Sequence, residues 1–353
     1  MAAATSSAQT RAWLARELPP VEAVGDDIWS IPVPMPNSPL RYTSAYVLAT
    51  AGSLAMVDAG WDSDDSWAAL CAGLELLGAT PRDVRAVLVT HQHFDHLGLA
   101  ARVRAASGAW IGLHPADAEA VAAPLYRNPA LALAAERRWL RRAGADAEQV
   151  DRLGGGLERF APRAGVATAD RLVEDGERLL LAGRVLRVIH TPGHTPGHLC
   201  FAEEQTGRVF TGDHVLPRIS PHVSSDRTGR VDLLGAYLAS LAGIAREPAT
   251  EVLPAHEWRF IGLSERAQEI AEHHARRLAE LLAVLRRHPG GVPWDLAAEL
   301  TWSRPWAQYD GRLRITAVAE TEAHLMHLVA QGRARRGSGE VPGYWALPVI
   351  SGR

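Results

Sequence analysis

The chain of 353 residues contains no lysine: all 37 of its basic residues are arginine. A guanidinium does not give up its proton to become a nucleophile, so Schiff-base catalysis, a pyridoxal-phosphate anchor and a Walker-type phosphate lysine are excluded. Cysteine is almost as scarce. Cys71 and Cys200 are the whole complement. Two thiols so far apart form neither a zinc knuckle nor a disulfide scaffold, which points to a reducing compartment. Long apolar runs are also missing. The best stretch, Ala68 to Leu77, carries Glu75 and falls short of the roughly 18 apolar residues a membrane span requires. Neither sign of charge dominates: 37 basic against 40 acidic groups give −3, which leaves no overall field for nucleic acid or anionic lipid. Met1 to Arg16 has no apolar core ahead of a cleavage site and reads as a frayed tail, not a signal peptide. The expectation is a cytoplasmic protein without membrane association.

What is present is ordinary globular composition, 47% hydrophobic and 22% charged, at a length that suggests two domains. From Asp27 onward short β-type runs alternate with helical segments. Ser44–Leu48 and Ser53–Val57 flank a turn at Ala51-Gly52, and Arg85–Thr90 is a continuous apolar run of buried-strand type. Two further hairpins are expected, Arg178–Ala182 with Val185–Ile189 and His198–Ala202 with Arg208–Phe210, then a last strand at Glu251–Leu253. Asn128 to Phe160, rich in Ala, Leu and Arg and broken by Gly154-Gly155-Gly156, reads as a helical insertion over one face, a lid or plain surface helix. A helical stripe begins near Ser264 and stops at Pro289-Gly290-Gly291. Helices at Asp295–Leu300 and Thr316–Gln331 and a hairpin within Arg333–Trp345 follow, an arrangement that resembles a winged helix. The expected organisation is a tail over residues 1–26, a catalytic domain over 27–263 and a C-terminal domain over 264–353.

The chemistry concentrates directly after the apolar strand, in Thr90-His91-Gln92-His93-Phe94-Asp95-His96. Four potential metal ligands within six residues cannot be packed core, because every imidazole and carboxylate would need a buried partner. Downstream, Thr191-Pro-Gly-His194-Thr-Pro-Gly-His198, Thr211-Gly-Asp213 and Pro254-Ala-His256 each sit just past an expected strand, where α/β folds carry ligand-bearing loops. His190, His194 and His198 are four apart, yet the two Pro-Gly pairs forbid the helix that would align them.

This set of motifs, in this order, resembles the metallo-β-lactamase-fold hydrolases over about two thirds of the chain, Asp27 to Glu257. The resemblance implies an α+β, four-layer αβ/βα sandwich, here followed by the helical, winged-helix-like domain. It implies one divalent ion held by His91, His93 and His194, and a second by Asp95, His96 and His256, with Asp213 bridging. Asp58, closing the strand before it, resembles the family's supporting aspartate beneath the histidine loop, and His198 is expected to support by hydrogen bonding. Zinc is the expected metal, and the same His/Asp set also accepts iron or manganese. Three neutral imidazoles around an ion leave a position where water ionises near pH ~7, and a second ion about 3.5–4 Å away shares the resulting hydroxide. Asp95 lies close enough in this scheme to pass a proton to the leaving group as the catalytic acid.

The implied reaction is hydrolysis of a small-molecule acyl bond, thioester, ester or lactone. The T-P-x-H-T-x-G-H and T-G-D runs look most like the hydroxyacylglutathione hydrolase branch. That branch has lysines in its tail and a tyrosine where this chain has Trp258, so the thioesterase-like chemistry carries over better than glutathione. Two alternatives are a phosphodiesterase and a persulfide dioxygenase-like iron enzyme. Only 42 residues separate Asp213 from His256, too few for the domain that the large nuclease subgroup inserts there. Residues 264–353 carry 12 Arg against 10 acidic groups, a weak basis for nucleic acid. His214 reads as local structure, His222 as a loop residue bordering the site, and His273, His274, His324 and His327 as surface histidines. Trp294, Trp302 and Trp306, the last two sharing a face if helical, suit the small domain's core, a homodimer contact or an aromatic wall over the cleft.

Overall fold

The computed structural model describes residues 2–25, 27–50, 52–153 and 165–348. The chain divides into two compact units. The first comprises Met1–Ala123, Pro162–Pro221 and Ser240–Glu269, the second Pro124–Ala161, His222–Ala239 and Ile270–Arg353.

The first unit is built on two seven-stranded sheets. One runs Glu22–Gly25, Ile28–Pro34, Tyr42–Thr50, Ser53–Val57, Val84–Leu88, Trp110–Leu113, Arg171–Leu172, neighbour to neighbour. The other runs Ala3–Ala4, Phe260–Ile261, Glu251–Pro254, Arg208–Gly212, Leu199–Glu203, Arg184–His190, Arg178–Leu181. Period-2 patterning decides which side chains go inward. In Arg178–Leu181, Leu179 and Leu181 are buried while Leu180 faces solvent. Tyr46, Leu48, Val57 and Leu88 of one sheet meet Leu186, Val188, Phe201, Phe210 and Leu253 of the other in a continuous apolar core. Each such side chain taken out of water contributes about 1.5–3 kcal/mol. In Val84–Leu88, Ala86, Val87 and Leu88 are buried on both faces, as the apolar run from Ala86 implies, while Arg85 near its start faces solvent. Direct backbone bonds then join the sheets beside the ligand loops: Leu199 N–H donates to Thr90 O at 2.7 Å and Ser44 N–H to Ala255 O at 2.7 Å.

The expected hairpins form. Thr50 pairs with Ser53, Arg187 with Arg178 and Phe201 with Phe210. Ala51 of the first turn lies outside the described residues, as do Gly154, Gly155 and Gly156. The frayed tail does not hold. Ala3–Ala4 pairs with Phe260–Ile261, and the helix Ser7–Ala15 buries Gln9, Ala12 and Trp13. Gln9 anchors it, its side-chain carbonyl accepting from Arg259 N–H at 2.9 Å, and Ser6 caps it through Gln9 N–H at 3.0 Å. A segment that buries one large apolar residue, Trp13, and leaves Leu14 exposed is thus held by polar contacts that hydrophobic patterning does not register.

The second unit packs the helix Pro129–Ala143 and the helix Ala147–Leu153 against Pro293–Ala298 and Gly311–Ala330. Trp139, Leu140, Val150, Trp294, Ile315 and Val318 form its core, so the single boundary expected at residue 264 is replaced by a unit drawn from three stretches. The apolar stripe of the insertion belongs to this core. The hairpin Ala334–Arg336 with Tyr344–Ala346 follows the long helix. Trp302 and Trp306 do not share a helix: Trp302 is in irregular chain and Trp306 opens a 3₁₀ turn, yet their rings stack at 6.4 Å against that core. Glu322 is the polar hub, accepting from Trp139 Nε1 at 2.7 Å, Ser225 Oγ at 2.6 Å and Arg142 at 3.2 Å. Among the described residues no helix is long and apolar enough to cross a membrane.

Candidate metal centre

Six strand ends position the site, all at carboxyl termini. Asp58 follows Ser53–Val57, the His91–His96 run follows Val84–Leu88, and Asp117 follows Trp110–Leu113. On the other sheet His194 follows Arg184–His190, Asp213 follows Arg208–Gly212 and His256 follows Glu251–Pro254. Closing the sandwich therefore brings residues nearly 200 positions apart to one edge.

Three imidazoles converge first. His93 Nδ1 lies 2.9 Å from His91 Nε2 and 3.1 Å from His194 Nε2. The second cluster gathers around Asp213. Its Oδ1 is 3.2 Å from His256 Nε2 and 3.6 Å from His96 Nε2, while its Oδ2 is 3.7 Å from His194 Nε2. Asp95 Oδ2 completes that side, 3.5 Å from His256 Nε2 and 3.8 Å from His96 Nε2. Ligand atoms within 4.8 Å of one another form the sets His91/His93/His194, His91/His96/Asp213 and Asp95/His96/His256. All seven side chains singled out in the sequence are thus brought together, and Asp213 touches both sides.

These residues fit metal ions on the chemistry of their donors. His96 Nε2, His256 Nε2 and Asp213 Oδ1 are buried without a hydrogen-bond partner, though each points at the shared space. Buried polar atoms are rarely left so unless another group satisfies them. The 2.9 and 3.1 Å separations of His93 Nδ1 from the other two imidazole nitrogens also approach the ~3.3 Å edge of a tetrahedron with Zn–N bonds of about 2.0–2.1 Å. His91 is held neutral, its pKa well below the usual value through burial and then through the surrounding imidazoles, which is the form that coordinates. Burial disfavours charge on His96 too, but Asp58, Asp95 and Asp213 outweigh it and raise its pKa well above the ordinary value. A cation among these carboxylates would take over that stabilising role.

Supporting contacts fix each ligand's orientation. Asp58 Oδ2 meets His96 Nδ1 at 2.7 Å, and its Oδ1 accepts from Thr90 N–H at 2.8 Å. Asp58 adopts a left-handed φ of 60°, a conformation costing on the order of 1 kcal/mol that aims its carboxylate under the histidine loop. His256 Nδ1–H donates to Tyr42 O at 2.8 Å, leaving Nε2 for the site. His198 is no ligand in any of the three sets: Asp213 N–H donates to its Nε2 at 3.3 Å, and its Nδ1–H bonds Thr191 Oγ1 at 2.8 Å. Gly212 makes room for this contact, since a Cβ there would sit 2.9 Å from His198 Nε2 at a φ of +49°. His198 thus contacts the backbone of Asp213 instead of joining a ligand set.

The remaining histidines lie elsewhere. His214 is buried 5.7 Å from the His198 ring and belongs to no ligand set, in line with local structure. His222 lies in the second unit, 3.6 Å from Glu320. His274 and His324, expected at the surface, are both buried, with His274 Nδ1 3.1 Å from His324 Nε2. Each ring's Nδ1 is bonded, His324 to Glu320 O at 2.8 Å and His274 to His324, while His274 Nε2 is buried without a hydrogen bond. Sequence reasoning missed Asp117, a fully buried carboxylate with three donors. Its only signal was an acidic residue just past a strand, at the third position of a helix that opens with Pro115.

The sequence profile of the metallo-beta-lactamase superfamily matches residues 38–256, from just before Tyr42 to the last ligand. A metallo-beta-lactamase family protein from Thermus thermophilus superposes with a TM-score of 0.76 at 30% identity, covering 92% of this chain and 100% of that one. The beta-lactamase-like protein 2 homolog of Caenorhabditis elegans is 24% identical over 317 residues, 89% of this chain and 88% of its own. A shorter match, 32% identical over 114 residues, covers 32% of this chain and 33% of an atrochrysone carboxyl ACP thioesterase from Aspergillus terreus (strain NIH 2624 / FGSC A1156). With the sandwich, the ligand geometry and the profile in agreement, the chain belongs to the metallo-beta-lactamase superfamily.

Proposed function

We propose that this protein is a dinuclear metallohydrolase of acyl bonds, with thioesters as the first substrate class and esters and lactones beside them. One observation carries the reading: Asp213 lies between two sets of ligands, His91/His93/His194 and Asp95/His96/His256, with oxygens facing each. Zinc is the metal we assign. Bound there, the ions supply a water acidic enough to ionise near neutral pH and a Lewis acid for the acyl oxygen. The protein's own groups do the rest. His91, His93 and His194 stay neutral donors, and Asp213 offsets repulsion between two dications. To Asp95, only half-buried, we assign taking up the proton that the attacking water loses and passing it to the departing sulfur or oxygen. Beside the histidine loop the half-buried rings of Trp61 and Phe94 pack edge to face at 6.4 Å and offer an apolar flank for an acyl chain. The thioesterase name of the A. terreus relative supports placing thioesters first.

Elemental analysis and a panel of acyl thioesters, esters, lactones and phosphodiesters test this reading. The expected result is two metal ions per chain and thioester turnover that a chelator abolishes and zinc restores. Asp213→Asn is expected to lower kcat/KM by about 100-fold or more, the scale of a lost metal-ion contribution of several kcal/mol. Two bound ions with phosphodiester cleavage alone, or a single iron with oxygen uptake, would overturn it.

A further inference from the structure

We infer that Asp117 is a positioning residue that locks the two ligand-bearing loops of the three-histidine set into one rigid unit. The inference rests on the metal centre proposed above. Asp117 projects from the first turn of the helix Pro115–Ala122 and is completely buried. Its Oδ2 accepts from Gln92 N–H at 2.9 Å and from Thr195 Oγ1–H at 2.8 Å, and its Oδ1 accepts from Gly197 N–H at 2.7 Å. Gln92 separates His91 from His93. Thr195 and Gly197 lie between His194 and His198. One carboxylate therefore grips both loops at the residues between their histidines, across separations of 25, 78 and 80 positions.

The fit is close. A Cβ on Gly197 would lie 2.7 Å from Asp117 Cγ, Oδ1 and backbone N, so only glycine brings its N–H to this carboxylate. All three partners are donors, and a carboxylate takes them as an acceptor through both oxygens. Burial nevertheless raises its carboxyl above the ordinary value, against the pull of those donors. Such a group is retained at a cost in desolvation, which the loop geometry repays only if the loops need fixing. The other ligand set has separate supports, Asp58 on His96 and Tyr42 O on His256. Asp58 bonds His96 directly and reaches His91 only through Thr90 Oγ1, whereas Asp117 ties the His91–His93 loop to the His194–His198 loop.

The test measures metal affinity rather than turnover. Zinc is titrated into metal-free full-length protein in competition with a chromophoric chelator, for wild type, Asp117→Asn, Thr195→Val and Glu203→Gln. Glu203 is an equally buried carboxylate in the same unit, bonding Gln205 and Thr206 N–H in a turn, and controls for general destabilisation. In Asp117→Asn an amide N–H meets donors, and one of two zinc affinities is expected to fall about 10–100-fold while the other is retained. Thr195→Val removes one donor, and a smaller loss in the same affinity is expected. Glu203→Gln is expected to lower the unfolding midpoint and leave both affinities alone. Folded Asp117→Asn with both affinities at wild-type values would overturn the inference, as would an equal loss in Glu203→Gln. If Asp117→Asn does not fold, Thr195→Val decides by the same criterion. Wild type that binds no zinc overturns the metal-centre reading itself and is recognised before any variant is measured.

Discussion

Asp58 Oδ2 stands 2.7 Å from His96 Nδ1, beneath an imidazole whose other nitrogen is buried without a hydrogen bond. The contact fixes the ring's tautomer, placing the proton on Nδ1 and the lone pair at Nε2. Asp58→Asn keeps the shape but sets an amide N–H against either His96 or the Thr90 N–H. Affinity for one metal ion is expected to fall about 10–100-fold, read by the same chelator competition, with the fold retained by circular dichroism. Unchanged affinity would mean that His96 is held by its packing alone.

Glu322 supports the second unit in a different manner, as one buried carboxylate under three donors from separate segments. Glu322→Ala leaves Trp139 Nε1, Ser225 Oγ and Arg142 without it, and stability is expected to drop by about 3 kcal/mol or more in urea unfolding. Trp139→Phe, which removes one donor and keeps most of the ring, is expected to cost about 1 kcal/mol from the lost bond. Zinc stoichiometry should not change in either variant.

The buried pair His274 and His324 makes stability depend on pH. His324 Nδ1–H donates to Glu320 O at 2.8 Å, so its Nε2 accepts from His274 Nδ1–H, and both rings are neutral. Burial, then the neighbouring His324, pulls His274 down to about 3, and His324 is lowered as well, despite the nearby Glu320 carboxylate. Depressed folded values mean that the unfolded chain takes up protons first as pH falls. The stabilisation is therefore complete above about pH 6.5 and drains away toward pH 3. His274→Asn combined with His324→Asn is expected to flatten the fall in unfolding free energy between pH 7 and 4.5 by about 2–3 kcal/mol. Identical slopes in both proteins would contradict the assignment.

Reading these residues from sequence worked where chemistry and periodicity coincide. The His91–His96 run, His194, Asp213 and His256 follow apolar strands, and packing alone gives no reason to gather so many ligating side chains at the carboxyl ends of strands. The strands of the sandwich were legible because their side chains alternate or run continuously apolar. The failures share a different cause. Gln9 and Asp117 act through hydrogen bonds to backbone far away in sequence, which no local pattern encodes. His274 and His324 looked exposed because each would be costly to bury alone, and their mutual bond, with Glu320 O, offsets part of that cost. The domain boundary was misplaced because helical stripes reveal that a face is covered, not which segment covers it.

The three-stretch composition of the second unit has a practical corollary for anyone wishing to excise or transplant it. A stop codon ahead of Ile270 would strip Trp294, Ile315 and Val318 from Trp139 and Leu140, stranding an uncovered apolar helix in the middle of what remained. Such a truncation would report on aggregation, not on what the terminal segment contributes to turnover. A chimera with a relative has to exchange Pro124–Ala161, His222–Ala239 and Ile270–Arg353 together, so inheritance of this unit is all or nothing.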